Sequence, residues 1–302
     1  MDSNLIYKVE SKGEGMKVRD YMKDVLELSG RFIKKVGLSD RIKINGNVVR
    51  LNHKLTEGDI LIIQVEKKNE SQNIIPEKMD IDVVYEDMDL IIVNKPVNMV
   101  VHPTKSYPTG TLSNGVLNYF RENGENCIVR LVSRLDMDTS GLIMIAKNQF
   151  AHMSLAKSME NNLITKKYLA ICHNDILEDS GTINANIGIM KEDSIKRSVM
   201  DSGQRSITHF KVLERFKKGS LIELKLETGR THQIRVHLSY LNCPIYGDSL
   251  YGKEEKEYIK RQALHAYKLI LPHPRTGEII EVEKEMPEDM KRLVHILKED
   301  EK

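Results

Sequence analysis

The chain of 302 residues has no tryptophan, only three cysteines and an aromatic content of 5%. The cysteines are odd in number and not closely paired, which argues against a disulfide framework and against a zinc ribbon. No apolar run reaches the roughly 18 residues that a membrane helix needs, and the N-terminus lacks the basic and apolar regions of an export signal. We therefore expect a cytoplasmic protein that does not associate with membranes.

Length and composition predict a protein with two domains. A chain of 302 residues exceeds what one hydrophobic core usually supports, so a small domain beside a larger one is expected. Residues 67–80 include the polar stretch KKNESQNIIPEK, which has no hydrophobic periodicity and reads as a linker. The predicted domains are therefore residues 1–66 and 81–302.

The net charge is only +2, but basic residues are concentrated in one part of the small domain. Between Gly30 and Lys54, seven basic residues stand against one acid, Asp40. Such an excess fits a phosphate backbone, and it equally fits an ordinary solvated face. The basic residues are Arg31, Lys34, Lys35, Arg41, Lys43, Arg50 and Lys54.

The first 66 residues predict a compact α+β module. Apolar residues recur at helical spacing over 17–28, and a second short helix, RFIKKVG, ends at Gly37. Asn45-Gly46 predicts a tight hairpin turn, and the Gly58-Asp59 turn leads into an apolar strand. Two helices, a hairpin and a closing strand follow one another within this module.

For the larger domain, the sequence pattern predicts an α+β fold with a mixed, largely antiparallel sheet. Consecutive strands are joined by short turns with few helical crossovers, which disfavours a doubly wound sheet. Strands are predicted at 81–87, 89–96, 141–148, 166–173, 207–216, 220–229, 263–271 and 278–285. Helices are predicted near 112–120, 149–161, 232–241 and 287–297.

The segment RLVSRLDMDTSGLIMIAKN, residues 130–148, carries the chemistry in either of two interpretations. Asp136, Asp138 and Thr139 have the Asp-x-Asp-x-Thr spacing of magnesium-dependent phosphatases that use an aspartate nucleophile. Such sites follow a buried apolar strand, whereas here the apolar run LIMIA comes after the acids. This order makes the phosphatase interpretation weak.

In the second interpretation, Arg-Leu-Asp-x-x-Thr-Ser-Gly resembles the signature of the large-subunit ribosomal RNA pseudouridine synthases. Three further blocks occur in the order of that family: NKPVNMVVHP at 94–103, KKYLAI at 166–171 and ETGRTHQIRVHLSYLNCPIYGDSLYG at 227–252. The VVHP ending is most similar to the D-type members. The module of residues 1–66 resembles the S-four RNA-binding module that precedes this catalytic domain in the ribosomal branch. One departure is Ser133, where the family often has histidine.

The resemblance implies the pseudouridine synthase fold and the isomerisation of uridine within RNA, without cofactor or metal. It implies that Asp136 is the nucleophile, that Arg235 is its positive partner and that Tyr168 stacks on the detached uracil. A guanidinium suits the partner's task because it stays charged and offers a planar fork to a carboxylate. It also implies that Arg134 supports the flipped nucleotide. The remaining residues expected to contact RNA or substrate are Thr139, Ser140, Arg230, His232, Gln233, Arg31, Lys34 and Lys35.

Two other hypotheses compete with this assignment. A non-catalytic RNA-binding or ribosome-assembly factor would keep the fold and lose the chemistry, but Asp136, Tyr168 and Arg235 are all present. His232 and His237 with Cys243 invite a zinc interpretation, which is weak because no second cysteine lies nearby. The sequence gives no sign of an obligate protein partner, so RNA is the expected partner.

Overall fold

The computed structural model describes residues 4–65, 74–189 and 195–299 of the chain. Its strands are β1 Leu5–Lys8, β2 Ile42–Ile44, β3 Asn47–Val48, β4 Ile60–Ile63, β5 Asp82–Glu86, β6 Leu90–Lys95, β7 Arg130–Leu131, β8 Ser140–Ala146, β9 Thr165–His173, β10 Ser180–Asn184, β11 Ile187–Ile189, β12 Arg197–Val199, β13 Ile207–Phe216, β14 Gly219–Leu226, β15 Leu264–Pro272 and β16 Ile279–Glu283. Its helices are α1 Val18–Asp24, α2 Gly30–Gly37, α3 Leu112–Glu122, α4 Gln149–Glu160, α5 Gln233–Tyr240 and α6 Glu288–Glu299.

The N-terminal module, residues 4–65, is a four-stranded sheet in the order β1-β4-β2-β3 with α1 and α2 packed on it. Helix α2 begins after Ser29, whose hydroxyl accepts a hydrogen bond from the Phe32 amide at 3.2 Å. Phe32, Ile33 and Val36 enter the core, while Arg31 and Lys34 are exposed on the other face. The apolar spacing of this helix therefore turns two basic side chains toward solvent.

Helix α1 is shorter than the predicted span of 17–28. It ends at Asp24, and Glu27 then adopts a left-handed conformation with φ of 52°. This turn redirects the chain so that Leu28 is buried and α2 begins two residues later. Strand β1 was not predicted, because four residues are too few for a clear alternation.

The larger sheet has ten strands, with the main order β10-β13-β14-β9-β15-β8-β6-β5. Strand β16 pairs with β15, and β7 pairs with β8. The pairs are antiparallel apart from β8 and β15, which run parallel. The predicted mixed, largely antiparallel sheet is confirmed, and all eight strands and four helices predicted for this domain are present.

Strand β8 explains why the run after the motif is apolar throughout. All seven of its residues are buried, because helices cover both faces of the sheet here. On one face Ile143 and Ile145 pack with α3, and on the other face Leu142 and Met144 pack with α4. The strand is therefore a fixed support for the loop that precedes it.

Gly141 marks the point where the motif enters β8. Its φ is +116°, and a Cβ atom built on it would lie 2.2 Å from the carbonyl oxygen of Ala266 on β15. Only a residue without a side chain permits this conformation and this approach. The glycine that ends Arg-Leu-Asp-x-x-Thr-Ser-Gly thus allows β8 and β15 to pair in parallel.

The N-terminal module packs against α4 of the larger domain. Phe150 of α4 is buried within the apolar core of the module, and Met153 packs against it. Arg275 binds both carboxylate oxygens of Asp89 at 2.6 and 2.8 Å and donates to the Asn4 carbonyl at 2.7 Å. The connection between the two parts thus includes an apolar contact and a polar one.

The predicted linker lies partly outside the described residues, which resume at Ile74. Ile74 is buried against the apolar cluster that contains α3, so the larger domain is contacted earlier than residue 81.

Within the described ranges, no helix combines the length and the apolar character needed to cross a membrane.

Candidate active site

A cleft of about 970 Å³ opens above the centre of the larger sheet. Three elements bring the predicted catalytic residues to it. Asp136 lies in the loop between β7 and β8, Tyr168 lies on β9, and Arg235 lies on the first turns of α5. Residues that are 99 positions apart in sequence, Asp136 and Arg235, therefore meet in one site.

The carboxylate of Asp136 and the guanidinium of Arg235 form a direct ion pair. Arg235 Nη1 donates to Asp136 Oδ2 at 3.0 Å. The Asp136 side chain is 27% exposed, whereas that of Arg235 is 8% exposed. The carboxylate thus faces the open cleft while its positive partner is fixed below it, as a nucleophile requires.

Asp248 holds Arg235 from the opposite side and was not predicted. Its carboxylate is fully buried and accepts from Arg235 Nε and Nη2 at 2.7 and 2.8 Å. Burial alone would lower the pKa of Arg235, but Asp248 and then Asp136 raise it above its ordinary value. Arg235 is therefore a permanent cation shared by two carboxylates, with its plane set by Asp248. The sequence offered one signal, an acid within the apolar and aromatic block IYGDSLYG.

Tyr168 forms part of the wall of the cleft and is 7% exposed. Burial, together with the negative charge of Asp136, raises the pKa of its phenol. The hydroxyl therefore stays protonated near neutral pH. An aromatic ring in this state offers an apolar face on which a base can stack.

Lys95 holds the loop that carries Asp136 in place. It is fully buried at the end of β6, and its ammonium donates to the carbonyls of Pro96, Met99 and Met137 at 2.7 to 2.9 Å. Met137 directly follows Asp136 in the chain. Burial lowers the pKa of Lys95 to about 7. The lysine of the NKP block, to which no role was assigned from sequence, thus positions the loop that carries Asp136.

His232 stands beside the ion pair at the start of α5. Its φ of 57° turns the chain into the helix, and its Nδ1 lies 2.9 Å from the Tyr251 hydroxyl. Its Nε2 is 3.9 Å from Asp136 Oδ2. Burial lowers the pKa of His232, so the ring is neutral at pH 7 and shapes the wall of the pocket.

Gln233 organises the loop that forms the other wall. Its side-chain oxygen accepts from the Thr228 hydroxyl and the Arg230 amide, and its nitrogen donates to the Ile207 carbonyl and the Thr208 hydroxyl. With these bonds made, Gln233 supports the wall from within the protein. Arg230 is exposed at the cleft and also donates to the Arg205 carbonyl at 3.2 Å.

The two hydroxyl residues of the motif face the protein interior. Thr139 is 2% exposed, donates its amide to the Asp136 carbonyl and accepts from Gln262. Ser140 is 5% exposed and lies 2.9 Å from His265 Nδ1. Thr139 still lines the cleft, whereas Ser140 lies behind it. Both hydroxyls have partners inside the protein, so these residues support the loop that carries Asp136. Their contact with a substrate stays a prediction.

The basic side chains predicted to contact RNA differ in their exposure and in whether they already have a partner in the protein. Arg134 lines the cleft, is exposed, and makes no hydrogen bond or ion pair within the described ranges. Arg31 and Lys34 are exposed on α2. Lys35 is half-buried, and its ammonium lies 3.4 Å from the Gln149 side-chain oxygen of α4. Lys35 therefore contributes to the contact between the module and the larger domain.

The surroundings of the two alternative sites differ from what those sites need. His237 uses both ring nitrogens, at 2.9 Å from the Thr208 hydroxyl and from the Ala185 carbonyl. Neither nitrogen is left for a zinc ion. Asp136 lies in a loop before β8, and not at the end of a buried strand as in the phosphatases.

Comparisons with known proteins agree with this geometry. The sequence profile described as RNA pseudouridylate synthase matches residues 89–240. The uncharacterised RNA pseudouridine synthase YlyB of Bacillus subtilis (strain 168) is 45% identical over 261 residues, which cover 85% of this chain and 86% of the relative. The ribosomal large subunit pseudouridine synthase D of Neisseria meningitidis serogroup A is 38% identical over 267 residues, 84% of this chain and 71% of the relative.

A solved structure, the human RNA pseudouridylate synthase domain containing 4, shares the fold. Its TM-score is 0.61 with 24% identity, over 72% of this chain and 93% of the human one. The profile covers the loop of Asp136, the strand of Tyr168 and the helix of Arg235. The chain therefore belongs to the RNA pseudouridylate synthase family and is an isomerase.

Proposed function

We propose that this enzyme converts specific uridines of large-subunit ribosomal RNA to pseudouridine with Asp136 as nucleophile. The observation that carries the proposal is the Asp136–Arg235 ion pair at 3.0 Å, with its carboxylate open to the cleft beside Tyr168. The choice of ribosomal RNA is supported by the named activity of the Neisseria relative. The resemblance of the N-terminal module to the S-four module, with Arg31 and Lys34 exposed, also supports it.

The chemistry follows from what the residues offer. The carboxylate of Asp136 adds to an electron-poor carbon, either on the uracil ring or at the sugar. The bond from the sugar to N1 breaks, the uracil turns, and the same sugar carbon bonds to C5 while the bond to Asp136 breaks. C5 then loses its proton and N1 takes one up. No atom is gained or lost overall, so the residues of the chain suffice for the reaction.

Each neighbour of Asp136 has a part in this scheme. Arg235 donates to the carboxylate of Asp136 at 3.0 Å and orients it toward the cleft. Tyr168 forms the wall of the cleft beside Asp136 and stacks on the detached ring. Arg134, exposed beside the nucleophile, props the flipped nucleotide or fills the gap that it leaves.

The test is to incubate the full chain with large-subunit RNA that lacks modifications and to map pseudouridine chemically. We expect new pseudouridine at a few defined positions. Asp136→Asn should abolish the signal while RNA binding changes little, because an amide is a far weaker nucleophile of the same shape. Turnover by this variant within about tenfold of the parent would reject Asp136 as nucleophile.

One outcome of this experiment would favour the alternative function. An absence of new pseudouridine with tight RNA binding would favour the non-catalytic factor. In the cell, we propose that the enzyme acts in the cytoplasm. Fractionation that recovers the chain elsewhere would contradict this assignment.

A further inference from the structure

Lys166 is a basic residue of the cleft to which the arrangement above gives no task. It lies on β9 two positions before Tyr168, so both side chains face the same side of the sheet. Both line the cleft. Lys167, between them, faces the other side and forms an ion pair with Glu223 at 3.0 Å. Because side chains alternate along a strand, Lys166 faces the cleft and Lys167 faces the opposite side of the sheet.

The ammonium of Lys166 has no acceptor within the described ranges. No hydrogen bond or ion pair of those residues reaches it, although the side chain is half-buried. Burial lowers the pKa of Lys166. By contrast, Arg235 is shared by two carboxylates and Lys95 by three carbonyls. A partly desolvated cation without a partner costs free energy in the free protein, and a ligand that supplies an anion would recover that cost.

The surroundings of this ammonium are open on one side. A Cβ atom on Gly229 would lie 3.7 Å from Lys166 Nζ and would meet no other atom within 4 Å. The Gly229 φ lies outside the left-handed region, so the backbone conformation does not demand glycine here. Open space at a glycine beside a cation permits close approach of a ligand backbone.

The spacing along β9 matches a nucleotide. Two residues of a strand span about 7 Å, so the backbones of Lys166 and Tyr168 are about 7 Å apart. A base stacked on Tyr168 would therefore have the Lys166 side chain to one side of it. The group of a nucleotide that lies to the side of its base, beyond the ribose, is the phosphate. Phosphate is also the anionic group of RNA, whereas the uracil carbonyls are neutral.

We propose that Lys166, beside Gly229, binds a backbone phosphate that flanks the flipped uridine. This proposal rests on the proposed function, because it takes a uridine in the cleft as given. Lys166 then acts as a positioning residue that fixes the ribose while the uracil turns. It is distinct from the phosphate contacts of the N-terminal module, which lie outside the cleft.

The first test compares Lys166→Gln with Lys225→Gln. Lys225 is exposed on the adjacent strand β14, where it lies opposite Lys167, so the control removes an equal charge from the sheet. Binding of an unmodified large-subunit RNA transcript is measured across a series of KCl concentrations. We expect Lys166→Gln to flatten the slope of log affinity against log salt by about 0.7 to 0.9, the value for one lost phosphate contact. Lys225→Gln should leave the slope unchanged.

The second test identifies the phosphate. Short RNAs containing the mapped uridine carry a neutral methylphosphonate at either flanking phosphate. One of the two substitutions should weaken binding by the parent and add nothing to the loss in Lys166→Gln, as a double-mutant cycle requires for partners in contact. Additive losses at both positions would overturn the proposal, as would an unchanged salt slope.

Folding is checked on the same variants. Lys166→Gln should unfold at a temperature no lower than the parent, since it removes an uncompensated cation. Gly229→Ala has room in the free protein, so it should also fold normally while weakening RNA binding. If the parent forms no pseudouridine, the proposed function fails. If the parent forms pseudouridine but the cycle is additive, only the role of Lys166 fails.

Discussion

Replacing Asp248 by asparagine should cost both stability and rate, although Asp248 does not touch the substrate cleft. Asp248 is fully buried and binds Arg235 through two hydrogen bonds at 2.7 and 2.8 Å. It also accepts from the amides of Leu250 and Tyr251 at 3.0 and 3.1 Å. Asparagine keeps the shape but loses the charge and one acceptor. A buried guanidinium is then left with a single carboxylate partner, Asp136.

The magnitude follows from the burial of this pair. Breaking a buried ion pair by removing one partner costs about 3 kcal/mol or more of the free energy of unfolding. Without the carboxylate of Asp248, the guanidinium of Arg235 is no longer held in one plane and can rotate. A misplacement of about 1 Å near reacting groups costs about a hundredfold in rate. RNA affinity should change little, because Asp248 lies beneath the cleft.

The assay pairs urea unfolding with single-turnover release of tritium from RNA labelled at C5 of uridine. Asp179→Asn is the matched control, since Asp179 is 89% exposed and forms a surface ion pair with Arg215 at 2.7 Å. That change should cost less than about 1 kcal/mol and leave the rate unaltered. An Asp248→Asn enzyme as stable and as fast as the control would refute the role assigned to Asp248.

Three further predictions concern the motif, a buried histidine and the N-terminal module. Gly141→Ala should destabilise the fold by about 3 kcal/mol or prevent folding, because its Cβ atom would collide with the Ala266 carbonyl; thermal unfolding measures this. Burial lowers the pKa of His265 to about 4, below the value of about 6.5 expected when unfolded. The unfolded state therefore binds more protons between these values, and stability should fall by about 3 kcal/mol as pH drops from about 6.5 to 4. His265→Gln should flatten that part of the curve. Arg31→Gln combined with Lys34→Gln should lower the salt slope of RNA binding by about 1.4 to 1.8 without changing the single-turnover rate at saturating RNA.

Sequence periodicity predicted the elements that are long or amphipathic. The seven buried residues of β8 read as a strand because a continuous apolar run of this length fits a strand covered on both faces. Strands β11 and β12 were missed because they have three residues each, and pairing rather than pattern defines them. The end of α1 was misplaced because apolar spacing continues past the residue where the backbone turns.

The motifs named the central residues of the site but not those that hold them in place. Asp136, Tyr168 and Arg235 came from the family resemblance, and the structure brings them to one cleft. Asp248 and Lys95 act through other residues, so their roles depend on which groups meet after folding. A sequence alone does not show that a buried acid and a helix arginine 13 positions apart share two hydrogen bonds.

Phe150 has a consequence for protein engineering. By chain position it belongs to the isomerase part, yet it completes the apolar core of the N-terminal module. Exchanging residues 1–66 for a foreign RNA-binding unit would remove the apolar side chains that surround this aromatic ring and expose it to solvent. A functional chimera therefore has to transplant the first turn of α4 together with the new unit, or replace Phe150 by a polar residue.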